Sequence, residues 1–251
     1  MITAIAMQKG GVGKTTTAIN YAAGLALADY RTLLIDLDPQ ANATSGLGIN
    51  ASGVDTSVYD FLFNGASFAS TRKKTTVEGL ELLSGSIDLN GARAELPRQN
   101  SRFQELKERL PDYRPEFDRI VIDCPPSLGP LTLNALICAD NVLIPLQCEY
   151  YALEGLSQLK ETINRVKDNL NNKLSVKGIL LTMDDRRTNL ARDVKQEVKN
   201  YFGDLVLETT IPRNVRISEA PGYGRTIYEH APVSSGGRSY LKFTEEVICN
   251  E

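Results

Sequence analysis

Histidine occurs once among these 251 residues, at His230, and tryptophan does not occur. Lying between Glu229 and Ala231 in a stretch that reads as loop, His230 is expected at the surface. The four cysteines, Cys124, Cys138, Cys148 and Cys249, form no C-x-x-C pair, which favours reduced thiols over a disulfide framework or a zinc site. No apolar run approaches the roughly 18 residues of a membrane span. Because the chain opens directly on its first strand, no signal peptide is expected. The ten tyrosines are scattered, without the terminal cluster that bacterial tyrosine kinases carry. Repeats and low-complexity tracts are absent. A net charge of −3 argues mildly against nucleic acid, and 42% hydrophobic with 24% charged residues suits a globular protein with a substantial core.

The most informative stretch is Lys9-Gly10-Gly11-Val12-Gly13-Lys14-Thr15. It follows an apolar, β-prone run, Ile2 to Met7, and precedes a helical pattern from Thr15 to Ala28. Strand, glycine loop and helix together make a phosphate site: glycines let backbone N–H groups converge on an anion, and the helix adds its positive end. Lys14 is placed to reach the β- and γ-phosphates, and the Thr15 hydroxyl to ligate Mg²⁺. Gly10 to Thr16 are thus the expected phosphate contacts. The common pattern G-x-x-x-x-G-K-[ST] needs a glycine at position 8, which is Gln8. The chain instead carries a second lysine, Lys9, at the mouth of the loop, where it can point away from its own nucleotide.

Strand candidates alternate with helices along the chain: Thr32–Leu37, Leu80–Leu83, Ile120–Ile122, Asn141–Pro145, Val176–Thr182 and Leu205–Ile211. Between positions 151 and 170, Leu153, Leu156, Leu159, Ile163, Val166 and Leu170 fall on one helical stripe, and Ser234–Ile248 reads as a closing helix. The alternation predicts an α/β fold, a mostly parallel twisted sheet with helices on both faces, as one domain over residues 1–251. Asn50–Val77, rich in Ser, Thr, Gly and Asn, is expected to be partly loop. Ligands on such a sheet bind beyond the carboxyl ends of the strands, where Asp36, Asp38 and Asp123 lie. Asp38 is the best candidate to orient an attacking water. Asp38 and Asp123 suit a metal and Asp36 the holding of the loop; Pro125 and Pro126 stiffen the segment that would sense the γ-phosphate. Cys124 reads as a small buried residue.

The Lys9–Thr15 loop, the run Asp36-Leu37-Asp38-Pro39-Gln40-Ala41-Asn42-Ala43-Thr44, and Asp123-Cys124-Pro125-Pro126 resemble the ParA/Soj family of partition ATPases. That family lies within the deviant-Walker, MinD-like class of P-loop proteins. Further similarity lies in Ala152–Leu156, Leu181–Met183 and Ile211–Arg216, so the likeness spans nearly the whole chain in order. It is similar to the small chromosomal type, with no DNA-binding extension before the phosphate loop. The resemblance implies a switch: ATP and Mg²⁺ drive two subunits face to face, and Lys9 of each reaches the phosphates held by the other. It implies slow hydrolysis, with Lys9, Lys14 and Asp38 catalytic, until a ParB/Spo0J-type partner stimulates it. Adenine would pack near Met183, Pro212 and Asn214.

From residue 184 onward ten Lys+Arg face eleven Asp+Glu, so this portion is not basic overall. Its arginines are nonetheless concentrated at Arg186, Arg187 and Arg192, then Arg213 and Arg216, with Arg225, Arg238 and Lys242 later. On the family resemblance, Arg187, Arg192, Arg213, Arg216 and Lys242 would bind double-stranded DNA without reading sequence, as a patch completed by the homodimer, in a cytoplasmic, nucleoid-associated protein. The alternative for these side chains is a solvated surface. A MinD-like or protein-cargo ATPase without DNA binding is the alternative function, although the acidic end Glu245-Glu246 through Glu251 does not suit an anionic membrane. Cys124 and Cys138 lack the glycine-rich surroundings of an iron–sulfur reductase. A scaffold that binds but never hydrolyses ATP is disfavoured by Asp38.

Overall fold

A computed structural model describes residues 1–95, 103–149, 152–185 and 188–250. In chain order its strands are β1 (Ile2–Ile5), β2 (Thr32–Asp36), β3 (Arg72–Lys74), β4 (Leu80–Leu83), β5 (Arg119–Asp123), β6 (Asn141–Gln147), β7 (Ser175–Asp184) and β8 (Val206–Pro212). They form one sheet in the order β3-β4-β2-β5-β1-β6-β7-β8, parallel throughout except for the antiparallel β3–β4 pair. This is the α/β architecture expected from the sequence.

Strand side chains alternate between two cores, one on each face of the sheet. In β5, Ile120 and Ile122 join one core and Val121 the other; in β6, Val142, Ile144 and Leu146 oppose Leu143. The first face is covered by helices Pro130–Cys138, Ala152–Asn169 and Asn189–Phe202. From the expected stripe, Leu156, Leu159, Ile163 and Val166 are all buried there. The second face is covered by helices Lys14–Leu27 and Ser235–Cys249, through Ala18, Tyr21, Ala22 and Leu25 and through Tyr240, Phe243 and Val247.

Asn50–Val77 is more ordered than its composition suggests. It contains helices Val58–Phe63 and Phe68–Thr71 and the edge strand β3. Phe61 and Phe68 anchor it: Phe68 stacks on Tyr113 at 4.3 Å between ring centroids, and Phe61 meets Phe68 edge-on at 5.8 Å. The strand Arg-Lys-Lys has no apolar alternation of its own, and its pairing with β4 creates it. The other edge, β8, is protected differently. The Glu246 carboxylate accepts the backbone N–H groups of Glu208 (2.7 Å) and Thr209 (2.9 Å), which would otherwise face an intruding strand.

Candidate functional site: a two-lysine phosphate loop

Sheet order places β2, β5 and β1 side by side, so the carboxyl ends of these strands converge. Asp36 and Ile5 both stand opposite Asp123 in the parallel register, and the phosphate loop leaves β1 just beyond. Gly11 and Gly13 adopt φ of +75° and +87°, a region that excludes most side chains without strain. Gly13 is also the N-cap of the Lys14–Leu27 helix, so no capping side chain covers the N–H groups of its first turn. Gly10, Gly11, Val12, Lys14, Thr15 and Thr16 complete the loop and the first helical turn. The loop is buttressed by Thr182, whose hydroxyl donates to the Val12 carbonyl at 2.8 Å.

The two lysines stand in different environments. Lys14 is buried, and its Nζ donates to the Lys9 carbonyl at 3.0 Å. Burial pulls its ammonium below the usual value, while the Asp123 and Asp38 carboxylates pull it back. Lys9 is half-buried at the mouth of the loop and pairs with Glu149 at 2.8 Å. The Gln147 side-chain amide donates to the other oxygen of the same carboxylate.

The three aspartates also divide. Asp36 is fully buried and accepts from the Thr44 hydroxyl (2.7 Å), the Thr44 N–H (2.8 Å) and the Asp38 N–H (3.2 Å). Burial raises its pKa to about 6 against these bonds. Thr44 in turn accepts the Gly85 N–H at 2.9 Å, and a Cβ at Gly85 would stand 2.8 Å from the Asp36 carboxyl carbon. Asp36 is therefore tied to the Asp38–Thr44 loop, its oxygens bonded to the chain itself. Asp38 accepts the Gln40 N–H on one oxygen at 3.0 Å, and no hydrogen bond to its other oxygen occurs among the described residues. Asp123 is fully buried with neither oxygen hydrogen-bonded. Burial, then the Asp36 charge, push its pKa well upward; the nearby Thr15 hydroxyl, though not in bonding geometry, and Lys14 oppose the shift. A buried, unpaired carboxylate beside a threonine hydroxyl fits an outer partner of a hydrated Mg²⁺.

Next to the loop, Gly13, Thr16, Met183, Pro212, Asn214 and Tyr240 line a cavity of about 280 Å³. Folding thus assembles all three expected adenine neighbours around Thr16. Met183 sits at φ +51°, unusual for a residue with a side chain, at the irregular end of β7. The Asn214 amide accepts the Arg216 N–H at 2.8 Å and donates to Ser235 at 2.7 Å, bonds that fix its orientation in the wall and leave it a second donor and a second lone pair. Tyr240, 223 positions from Thr17 in sequence, meets that hydroxyl at 3.3 Å. No local sequence signal marks Tyr240, Glu149 or Gln147 as parts of this site. A larger groove of about 870 Å³ opens at the opposite end of the strands and contains none of these residues.

The arginine-rich portion is spread over several elements. Arg192 is exposed on helix Asn189–Phe202, and Arg213 is exposed beside the cavity wall. Arg216 is exposed and pairs with Glu219 at 2.9 Å. Lys242, on the last long helix, shares with Lys195 and Lys199 the surroundings of Glu208. Arg186 and Arg187 lie outside the described residues. His230 corrects the surface-loop expectation: it ends helix Ile227–His230, is only 14% exposed, stacks on Tyr223 at 5.0 Å and stands 3.5 Å from Glu219. Among the described residues no helix is long and apolar enough to cross a membrane.

Comparison with known proteins places this geometry. The AAA domain family model matches residues 1–176. The sporulation initiation inhibitor protein Soj of Bacillus subtilis is 53% identical over 99% of this chain and 98% of its own length. The chromosome partitioning protein ParA of Myxococcus xanthus is 51% identical over 98% of this chain and 87% of its own. Among solved structures, cobyrinic acid a,c-diamide synthase of Mycobacterium smegmatis, with bound ADP and magnesium, superimposes with a TM-score of 0.85 at 37% identity, covering 97% of this chain and 92% of that one. The chain belongs to the ParA/Soj family of chromosome-partitioning ATPases.

Proposed function

We propose that this protein is an ATP-dependent dimerising switch that hydrolyses ATP to ADP and phosphate and, in its ATP state, binds double-stranded DNA without sequence preference in chromosome or plasmid partition. The observation that carries the proposal is the unequal pair of lysines. Lys14 is buried among Asp38 and Asp123, where it serves its own nucleotide, whereas Lys9 stands at the mouth on a single half-exposed carboxylate, free to serve another. The names of three relatives at 50–53% identity, each a chromosome-partitioning or Soj protein, support the same reading.

The chemistry follows from the side chains. Loop N–H groups and Lys14 hold the β- and γ-phosphates, and Lys9 of a second subunit adds positive charge as the transition state develops. Water hydrogen-bonded to the free oxygen of Asp38 attacks the γ-phosphorus in line; the bond to the β–γ bridging oxygen breaks and ADP leaves with that oxygen. Thr15 and, through water, Asp38 and Asp123 would hold Mg²⁺, which when bound neutralises phosphate charge. Adenine occupies the cavity lined by Met183, Pro212 and Asn214. A ParB/Spo0J-type partner completes a slow site, and Arg187, Arg192, Arg213, Arg216 and Lys242 supply phosphate contacts doubled by dimerisation. The protein then works in the cytoplasm at the nucleoid.

Binding to non-specific duplex DNA with ATP, ADP or no nucleotide, at two salt concentrations, tests this. Salt-sensitive binding that needs ATP and is lost in Lys9→Ala and Arg216→Glu supports it. ATP-dependent dimerisation without DNA binding would replace partition on DNA with a protein-positioning role.

A further inference from the structure

The groove of about 870 Å³ lies under the amino-terminal ends of β1 and β6 and beside the entry to β5, across the sheet from the phosphate loop. Its floor is apolar, formed by Ile2, Leu110, Phe117, Ile137 and Leu170. Some of its hydrogen-bond acceptors are already engaged. One oxygen of the Asp140 carboxylate receives both the Ile2 N–H and the Arg114 guanidinium, each at 2.7 Å. Asn171 donates its side-chain amide to the Leu136 and Ala139 carbonyls, at 3.0 and 2.7 Å, closing the end of helix Pro130–Cys138.

The cations, by contrast, are spare. Lys107, Lys167 and Lys173 line the groove and have no hydrogen-bond or ion-pair partner among the described residues, with Asp168 the one carboxylate there left unpaired. Counting side chains, four cations (Lys107, Arg114, Lys167, Lys173) face two carboxylates (Asp140, Asp168), a local excess of +2 in a chain of net charge −3. An apolar floor and three unpaired ammonium groups against one unpaired carboxylate select an acidic ligand with an apolar body. The volume is in the range that encloses small organic molecules.

We propose that this groove binds a small amphiphilic organic anion, its apolar body on the Ile2–Leu110–Phe117–Ile137 floor and its acidic head at Lys107 and Lys173. The site is separate from the nucleotide, so both ligands bind at once, and the proposal stands whether or not the protein moves DNA.

The probe is 1-anilinonaphthalene-8-sulfonate, compared with its uncharged relative N-phenyl-1-naphthylamine, titrated by fluorescence into the full chain; the absence of tryptophan leaves the signal uncluttered. The sulfonate is expected to saturate at one site and to bind equally with and without saturating ATP. It is expected to weaken about tenfold in the double variant Lys107→Glu/Lys173→Glu, checked for folding by circular dichroism, and to weaken with salt. The uncharged probe should be nearly indifferent to that variant, while Leu110→Gln weakens both. Absence of saturable binding, displacement of the probe by ATP, or equal affinity in the charge-reversed variant would overturn the proposal.

Discussion

Removing Glu149 isolates the lysine that distinguishes this loop. Lys9 and Glu149 are paired at 2.8 Å, with side chains 36% and 44% exposed, so solvent screens much of their attraction. Pairs of that kind contribute about 0.2–1 kcal/mol. Glu149→Ala is therefore expected to lower the unfolding free energy by less than about 1 kcal/mol, a shift of at most about 4 °C in Tm for a chain of this size. The same contact must break before Lys9 can reach a second subunit, so its removal favours the dimer. One kcal/mol corresponds to about a fivefold change in an equilibrium constant, and each subunit contributes one such contact. The ATP-bound dimer of Glu149→Ala should then form at a protein concentration several-fold lower than the parent, with a ceiling of about 25-fold. Sedimentation velocity across a concentration series, with ATP and in an Asp38→Ala background to slow turnover, measures this. Lys9→Ala should lose the dimer altogether. A weaker dimer in Glu149→Ala, or a stability loss above about 2 kcal/mol, would refute the view of Glu149 as a restraint and make it part of the framework.

Asp38→Ala should still bind ATP in equilibrium dialysis while hydrolysing it at least about 100-fold more slowly, because the water-positioning acceptor is lost while the loop N–H groups, Lys14, Thr15 and Asp123 still hold the phosphates and the metal; near-normal turnover would move that role elsewhere. Thr44→Val removes a donor from buried Asp36 and an acceptor from the Gly85 N–H, and urea denaturation should show a loss of about 2–4 kcal/mol, with less than 1 kcal/mol contradicting the loop-holding role. Glu246→Ala bares two N–H groups of edge strand β8 and should cost about 1–2 kcal/mol with added concentration-dependent association, seen by light scattering. Arg31, bonded through its guanidinium and backbone N–H, holds exposed Asp118 at a pKa of about 2. Its small stabilising contribution is present above the unfolded carboxylate pKa and is lost as pH falls from about 4 toward 2, so the stability gap between the parent and Asp118→Asn should close over that window.

What the sequence determined by itself is the chemistry that lives within a few consecutive residues. The glycines of the phosphate loop, Lys14 and Thr15 at the helix start, and aspartates ending apolar strands are legible because strand, loop and helix each impose a short period on their own residues. The parallel sheet was legible for the same reason, from alternating apolar runs. Tertiary structure decided which of these groups meet and in what state. Asp36 and Asp123 are alike in sequence, but the register sets them side by side, and Thr44 with Gly85 then satisfies Asp36 and leaves Asp123 bare. Lys9 carries no mark of its restraint, because Glu149 arrives from 140 positions away. Tyr240 enters the nucleotide-side cavity from the last long helix, and β3 exists only because β4 pairs with it. His230 owes its half-buried place to Tyr223 and Glu219, neighbours brought there by turns whose geometry no local pattern specifies. Contacts between distant segments depend on how whole elements pack, and packing follows from burial summed over the fold, which no short window of sequence contains.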